Sequence, residues 1–531
     1  MGSSHPDSKE LPVPVPQAWA RARSLTVPLV LLLVLRVPSL FEPHWYTDES
    51  GYATTAWMMS HGKVLFLTVW NNKPPLLFWI YQLSLGLFGP SEFGLHLLST
   101  IAEGAALIAT WKLARAYLSP ARVWVAMLLT ALFLATPVFN GDLALPENFL
   151  VGCTAWAMVA LLASARAPSR PRSLLLAGAA GILFAGACLI QQTALADLAA
   201  GAVVLVLVGR RGWTLAVTTI LVSAVAVAVT IAPFVWSAGL HNVLFFLVSS
   251  YAGYTGTSLQ LSFWTLMPRL LAGLLLVWGV YSARHWPAAR LLPWVWLAAL
   301  LLAYVLPNRP YVHFLLPAVP AAALLLARLR RPHWRHWGGW AGLSLAPLLG
   351  SVLVVTAIWV TMLAAGFSSG TLFTVKLTAE YFPAFVGKLT GSLSASTYVQ
   401  IYDQRASAVD DAVQWVKKNH LSGSTAVVWS PDAWAYLLGR LQPVLPGPTI
   451  YTDHLWLGQQ ELLKRVQQER PVVVILTSDS YTQFGPILPL LQRGYTEVEA
   501  SAQGELWVRS DVASRVLTAA PARVAASRSG N

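Results

Sequence analysis

The sequence predicts an α-helical polytopic membrane protein of about eleven transmembrane helices, followed by a small extracytoplasmic α/β domain. Three observations carry that expectation. Of the 531 residues, 56% are hydrophobic and 11% charged, where a soluble domain carries about 25% charged residues. Apolar runs long enough to span a bilayer recur from residue 25 to residue 364, and alternate connections between them are basic. From Tyr398 onward the pattern changes to short buried strands and amphipathic helices.

Residues 1–24 are Pro-rich and polar and read as a cytoplasmic N-terminal segment. Arg21 and Arg23 precede a run over 25–41 without a small-residue cleavage site, which predicts an uncleaved signal anchor. The membrane domain extends over 25–364, and its first outer loop over 42–91. Further spans are predicted over 92–112, 121–138, 147–164, 173–190, 194–209, 213–236, 265–283, 291–306, 311–327 and 339–364. Lys112, Arg115, Arg122, Arg166, Arg170, Arg172, Arg210, Arg211, Arg284, Arg290, Arg328, Arg330, Arg331 and Arg335 fall in one set of connections. The other set holds Lys63, Lys73 and Arg309 in its short loops. The positive-inside rule then sets a cytoplasmic N-terminus, and an odd number of spans leaves the C-terminal part outside. Leu76 to Phe88 is apolar but short, between Pro74-Pro75 and Gly89-Pro90. Were it to span, every later basic loop would face the wrong side, so it reads as an interfacial or re-entrant helix.

Residues 365–397 read as an extracytoplasmic linker and 398–512 as the α/β domain. A helix is predicted over 406–418, where Val409, Ala412, Val413 and Val416 share one face. Buried strands are predicted over 425–429 and 471–476, with a helix over 457–468 between them, and edge strands over 497–500 and 505–508. The tail 513–531, rich in Ala, Ser and Arg, reads as disordered.

The net charge of +13 does not point to nucleic acid, because the basic residues are split into small groups between apolar runs, as topology signals are. Cys153 and Cys188 both lie in apolar runs and offer neither a disulfide framework nor a metal spacing. Nor do His44, His61 and His313 match a metal-ligand pattern, so no metal or other cofactor is assigned, and a divalent ion has no support at this level.

Charge at a membrane boundary needs a reason. Asp48 and Glu49 follow the first apolar run, Lys73-Pro74-Pro75 comes some two dozen residues later, Asp142 and Glu147 flank a further boundary, and Arg309 precedes Tyr311 and His313. The predicted topology brings all of them to one membrane face, together with the polar break Gln191-Gln192-Thr193. One carboxylate and two cations there suit attack on a lipid-linked sugar. The carboxylate takes the proton of the attacking group and the cations receive the departing phosphate.

Asp48 and Glu49 are adjacent, so on a helix they point about 100° apart and only one can face the reacting atom. Asp48 is assigned as the base and Glu49 as a brace. Tyr52, one turn on, shares the face of Asp48. The competing reading is a solvated loop with a helix start at Thr47-Asp48. Lys73 is held stiff by two prolines at headgroup level, or else is an ordinary interfacial lysine. Arg309 supplies a fork-shaped phosphate binder. Asp142 and Glu147 either position an acceptor or cap a helix. Arg36, inside the first run, is the clearest exception to this clustering at the interface.

Taken in order, the Asp-Glu pair, the Lys-Pro-Pro cluster and the Asp142-to-Glu147 stretch resemble the GT-C membrane glycosyltransferases. The nearest likeness is to the protein O-mannosyltransferase and lipid A aminoarabinose transferase relatives. Arg309-Pro310-Tyr311-Val312-His313-Phe314, with Pro317 and Pro320, is similar to their Arg-aromatic-X-His-Tyr-to-Pro stretch. The resemblance covers roughly residues 25–330. It implies a multi-pass enzyme of the cell inner membrane with its active site outside, taking a polyprenyl-phosphate sugar as donor and inverting the anomeric centre. It further implies Asp48 as base and Lys73 and Arg309 at the donor phosphate, with Tyr311 and His313 beside them. The partners implied are membrane lipids and an acceptor that is a protein, a lipid or a glycan. Two positions depart from the pattern: no lysine stands in Gln191-Gln192-Thr193, and Phe314 replaces a tyrosine. The rival from another class is a lipid or solute transporter, which would place its charges inside spans.

Overall fold

The computed structural model describes residues 17–207, 209–250, 277, 281, 286–305, 311–328, 368–477 and 486–518. Arg309, the predicted span 339–364 and nearly all of the predicted span 265–283 lie outside the described residues.

Helices α1 (Gln17–Arg36), α4 (Glu92–Arg115), α5 (Pro120–Leu134), α6 (Pro146–Arg166), α7 (Arg170–Ile190), α8 (Leu195–Leu207) and α9 (Arg210–Ala238) match predicted apolar runs. Two later runs appear as the helix Ala288–Val305 and as a 3-10 turn, Val312–Ala318, leading into the helix Val319–Leu326. Four of these helices, α4, α6, α7 and α9, are long and apolar enough to cross a bilayer. Starts are set by proline in α5 and α6, whose first turn needs no amide there.

Between α1 and α4 lie two shorter helices, α2 (Thr47–Ser60) and α3 (Pro75–Phe88). Fourteen residues give α3 a length of about 21 Å, short of the ~30 Å hydrocarbon core. Pro75 opens it, and Gly89 closes it at φ 71°, a backbone region glycine enters without cost.

Arg36 ends α1 with 1% of its surface exposed. Its guanidinium donates to Thr100 Oγ1 at 2.8 Å, to the His96 carbonyl at 3.1 Å, and to Ser99 Oγ and the Gly141 carbonyl. Glu103 lies 3.4 Å away as counter-ion, and Asn148 donates to the other oxygen of Glu103 at 2.8 Å. The clearest exception to the interfacial clustering is therefore a clamp joining α1, α4 and the loop before α6. This charge is spent on the fold.

Beyond residue 418 the chain builds a five-stranded sheet in the order β2-β1-β3-β5-β4, from β1 (Thr425–Trp429), β2 (Gln442–Pro443), β3 (Val473–Thr477), β4 (Tyr495–Ser501) and β5 (Gly504–Arg509). The first three strands are parallel, and β5 runs antiparallel to β3 and β4. Side chains alternate across the sheet. Ala426, Val428, Val473, Ile475, Leu506 and Val508 pack on one face against Val409, Val413 and Val416 of the helix Gln404–Lys418. Val427, Trp429, Val474, Leu476 and Trp507 pack on the other, against Leu462 and Val466 of the helix Gln459–Glu469.

Three expectations are corrected here. The segment read as a linker, 365–397, is largely helical over Ser368–Thr390, and Ala395–Tyr402 follows it. Leu377, Tyr381, Ala384 and Phe385 fall at helical spacing and are buried, with Tyr381 donating to Glu42 at 2.7 Å. The strand read as an edge over 505–508 is interior, because β4 adds beyond it as a hairpin. The chain also stays ordered past Ala513: residues 510–518 are helical and Ala513 is fully buried against the sheet.

Candidate functional site

Helix α2 starts at Thr47, and the two acids that follow part company at once. Asp48 faces a cavity of about 430 Å³. Glu49 points away from it, fully buried; its Oε1 accepts from the Ala144 amide and lies 3.1 Å from His96 Nε2. The helical rise of about 100° per residue is what separates them. Tyr52, one turn beyond Asp48, lines the same cavity, as its position on the helix face requires.

Lys73 enters the cavity from the loop before α3, and three side-chain bonds hold that loop. Asn71 donates to Thr55 Oγ1 of α2 at 3.1 Å and accepts from the Lys73 amide at 3.2 Å. Gln192 donates to the Asn72 carbonyl at 2.8 Å and to the Leu247 carbonyl at 3.2 Å. Pro74 and Pro75 then fix the direction in which the chain leaves. The Lys73 charge acts on Asp48, Glu147 and His313, so the ammonium stands among them. Burial raises the Asp48 carboxyl above its ordinary range, the Lys73 charge opposes that rise, and Glu49 adds to it.

Other walls come from distant parts of the chain. Glu147 at the head of α6, Gln191 and Thr193 after α7, and Tyr311, His313, Phe314 and Pro317 of the 3-10 turn all line the cavity. The Tyr311 and His313 rings stack 5.4 Å apart at 6°. The α/β domain supplies the remaining wall through Thr449, Tyr451, Thr452 and Trp456. It is tied down where Trp70 donates its amide to the Pro446 carbonyl at 2.9 Å. At Gly51 a Cβ would stand 3.1 Å from Thr449 Cγ2, so the missing side chain on α2 lets this wall approach. Ser50 Oγ accepts from the Ala433 amide at 2.9 Å and Thr54 donates to its carbonyl at 3.3 Å.

Of the expected residues, the structure brings Asp48, Tyr52, Lys73, Glu147, Tyr311 and His313 into one cavity. Glu49 and Asp142 do not line it. Asp142 is fully buried near Arg36; burial is the main influence on it, and its carboxyl is pushed up to about 6. Arg309 lies outside the described residues.

Several contributors escaped the sequence reading. Asp197 lines the cavity from α8, accepts from Trp296 Nε1 at 2.6 Å, and leaves Oδ2 without a hydrogen bond among the described residues. A lone carboxylate inside an apolar run was its signal. Thr449, Tyr451 and Trp456 carry no such mark, since nothing in their neighbourhood ties them to residue 48.

Residues 72–236 match the family model described as dolichyl-phosphate-mannose-protein mannosyltransferase. No curated protein sequence matches the chain. In structure it is similar to ArnT from Cupriavidus metallidurans bound to undecaprenyl phosphate, with TM-score 0.58 and 18% identity over 93% of this chain and 98% of that one. The apo state of that protein gives TM-score 0.58 and 17% identity over 92% and 98%. The Archaeoglobus fulgidus oligosaccharyltransferase in its apo form is a looser likeness, with TM-score 0.47 and 10% identity over 91% and 73%. The chain thus has the GT-C fold seen in ArnT, and its segment 72–236 matches the dolichyl-phosphate-mannose-protein mannosyltransferase family model.

Proposed function

We propose that the protein transfers a sugar from a polyprenyl-phosphate donor to an acceptor on the outer face of the cytoplasmic membrane, with inversion. The observation that carries this reading is the meeting of the Asp48 carboxylate and the Lys73 ammonium in one cavity, on separate and well-braced elements. The acceptor hydroxyl or amine attacks the anomeric carbon from the face opposite the phosphate and gives its proton to Asp48. The bond from that carbon to the phosphate oxygen breaks, and the phosphate leaves with its electron pair. Lys73 stabilises the charge gathering there and needs to donate no proton. Arg309, on the sequence alone, is assigned to the same phosphate, with Tyr311 and His313 beside it. Glu147 and Asp197, both carboxylates on the cavity wall, suit hydrogen bonds from sugar hydroxyls.

A donor carried on undecaprenyl phosphate is favoured by the likeness to a protein whose structure holds that lipid. The outward orientation rests on the distribution of basic loops. The segment with Thr449, Tyr451 and Trp456 is assigned to acceptor choice, since it closes the cavity from the α/β side. Trp456→Ala is expected to raise the acceptor KM and leave the donor KM unchanged; equal changes in both would remove that assignment.

The deciding test is turnover of radiolabelled polyprenyl-phosphate sugars by protein in bilayers. Asp48→Asn should cut transfer by about 10²–10⁴-fold, the contribution typical of a general base, while donor binding persists. Full activity in that variant would sink the assignment of the base. Movement of lipid or solute across the bilayer without sugar transfer would favour a transporter.

A further inference from the structure

Behind Asp48, on the side of α2 away from the cavity, lies a second group of side chains that the proposed transfer does not use. Glu49, Glu92 and His96 offer ligand atoms within 4.8 Å of one another, and none is more than 3% exposed. We propose that these three residues hold a divalent transition-metal ion of the Zn²⁺ or Mn²⁺ type, which fixes the start of α2 and with it the position of Asp48.

Spacing is the first argument. His96 Nε2 stands 3.1 Å from Glu49 Oε1 and 3.6 Å from Glu92 Oε2. An imidazolium bonded to carboxylates would close to about 2.7–2.9 Å, and 3.6 Å is too long for a hydrogen bond. Ligands held about 2.0–2.1 Å from a shared metal are separated by roughly 3.0–3.4 Å, from octahedral to tetrahedral geometry. The 3.1 Å separation falls within that range and the 3.6 Å one lies just beyond it.

Orientation is the second. His96 Nδ1 meets the Ser39 carbonyl at 2.6 Å, which makes it the donor and leaves Nε2 to face the carboxylates. That is how a metal-binding histidine is normally held. Glu92 is braced likewise: its Oε1 pairs with His44 Nδ1 at 3.3 Å, so that Oε2 turns toward His96.

The third argument concerns unmet demand. Glu49 Oε2 and Glu92 Oε2 are buried without a hydrogen bond among the described residues. Glu92 Oε2 faces His96 Nε2, and two buried carboxylates with an unbonded oxygen each on one imidazole are costly unless a cation joins them. A divalent ion with two carboxylates and a neutral imidazole gives a cluster of zero net charge. One nitrogen and several oxygens suit Zn²⁺ or Mn²⁺ better than Mg²⁺, which keeps its waters.

The test uses full-length protein, expressed with Zn²⁺ and Mn²⁺ supplied so that the buried site can fill during folding. Metal content is counted by mass spectrometry, and X-ray absorption reads the shell. The expected result is one equivalent per chain, in a nitrogen-and-oxygen shell at about 2.0–2.1 Å without sulfur. Glu92→Gln and His96→Ala should each lower occupancy at least tenfold, His44→Ala should weaken retention against a chelator about 10–100-fold, and exposed His61→Ala should change nothing. Wild-type protein without stoichiometric metal overturns the proposal, as does an all-water or sulfur-containing shell. Retention of the ion by both Glu92→Gln and His96→Ala does so too. The absorption measurement needs no variant, so a folding failure cannot shelter the idea. None of these readouts depends on sugar transfer.

Discussion

At the scale of single residues, the charge state of Asp48 governs what the cavity can do. A base must be ionised to accept a proton, and burial raises this carboxyl while Lys73 restrains it. Transfer is therefore expected to fall away on the acid side, with a midpoint above that of an ordinary aspartate. Lys73→Met should move the midpoint further up, because the opposing cation is gone, and should also slow transfer at high pH through the lost phosphate contact. Lys73→Arg should hold the midpoint near its original place. A pH profile of kcat/KM for the three proteins checks this, and a midpoint unmoved in Lys73→Met would separate the two groups. Asp48 and Lys73 were legible in the sequence because charge beside a membrane-length apolar run is expensive and stands out. Glu92 and His96 left a fainter trace, four residues apart on one predicted span, as one face of a helix would place them. Their meeting with Glu49 depends on how α2 leans on α4, and no local pattern encodes that.

At the scale of elements, close packing makes its own demands. A Cβ at Gly152 of α6 would lie 2.7 Å from the Ala102 carbonyl oxygen of α4, so these helices touch backbone to side. Gly152→Leu should cost about 1–3 kcal/mol or more, as overpacking does, and appear as a lower Tm in detergent; an unchanged Tm would show that α4 yields freely. In the α/β domain, burial pushes the Asp453 carboxyl up to about 8 and Asp432 to about 7. Both are raised in the folded state, so they keep protons that the unfolded chain has already released. Their contribution is complete below about pH 4 and is lost as pH rises through 7 to 8. The unfolding temperature of this domain should accordingly fall between about pH 4 and pH 8 and then level off, and Asp453→Asn should flatten the fall. The strands and the helix Gln404–Lys418 were legible because periods of 2 and 3.6 are local. The interior place of β5 was not, because which strand of the β4–β5 hairpin pairs with β3 is set by contacts across the sheet, and each strand's own alternation is silent on it.

At the scale of the whole molecule, the α/β domain and α2 share a small set of bonds. Ser50 and Thr54 reach the Ala433 backbone, and Trp70 reaches Pro446. Ser50→Ala with Thr54→Ala removes two bonds worth about 1 kcal/mol each. An undocked population should then rise roughly 30-fold, seen as faster hydrogen exchange over residues 430–456. Exchange equal to wild type would mean that the apolar contacts alone hold the domain. The segmentation of the chain was legible from its composition, whereas the closing of one cavity by residues four hundred positions apart was not. The parting of Asp48 and Glu49 has a consequence for engineering at this scale. One peptide bond separates a wet reaction chamber from a dry anchor, so α2 works as a keyed shaft. Inserting a single alanine between Thr47 and Asp48 would advance both acids by a quarter turn or so while preserving every side chain. The composition of the protein would be almost untouched, yet the chamber and the anchor would each receive the wrong tooth.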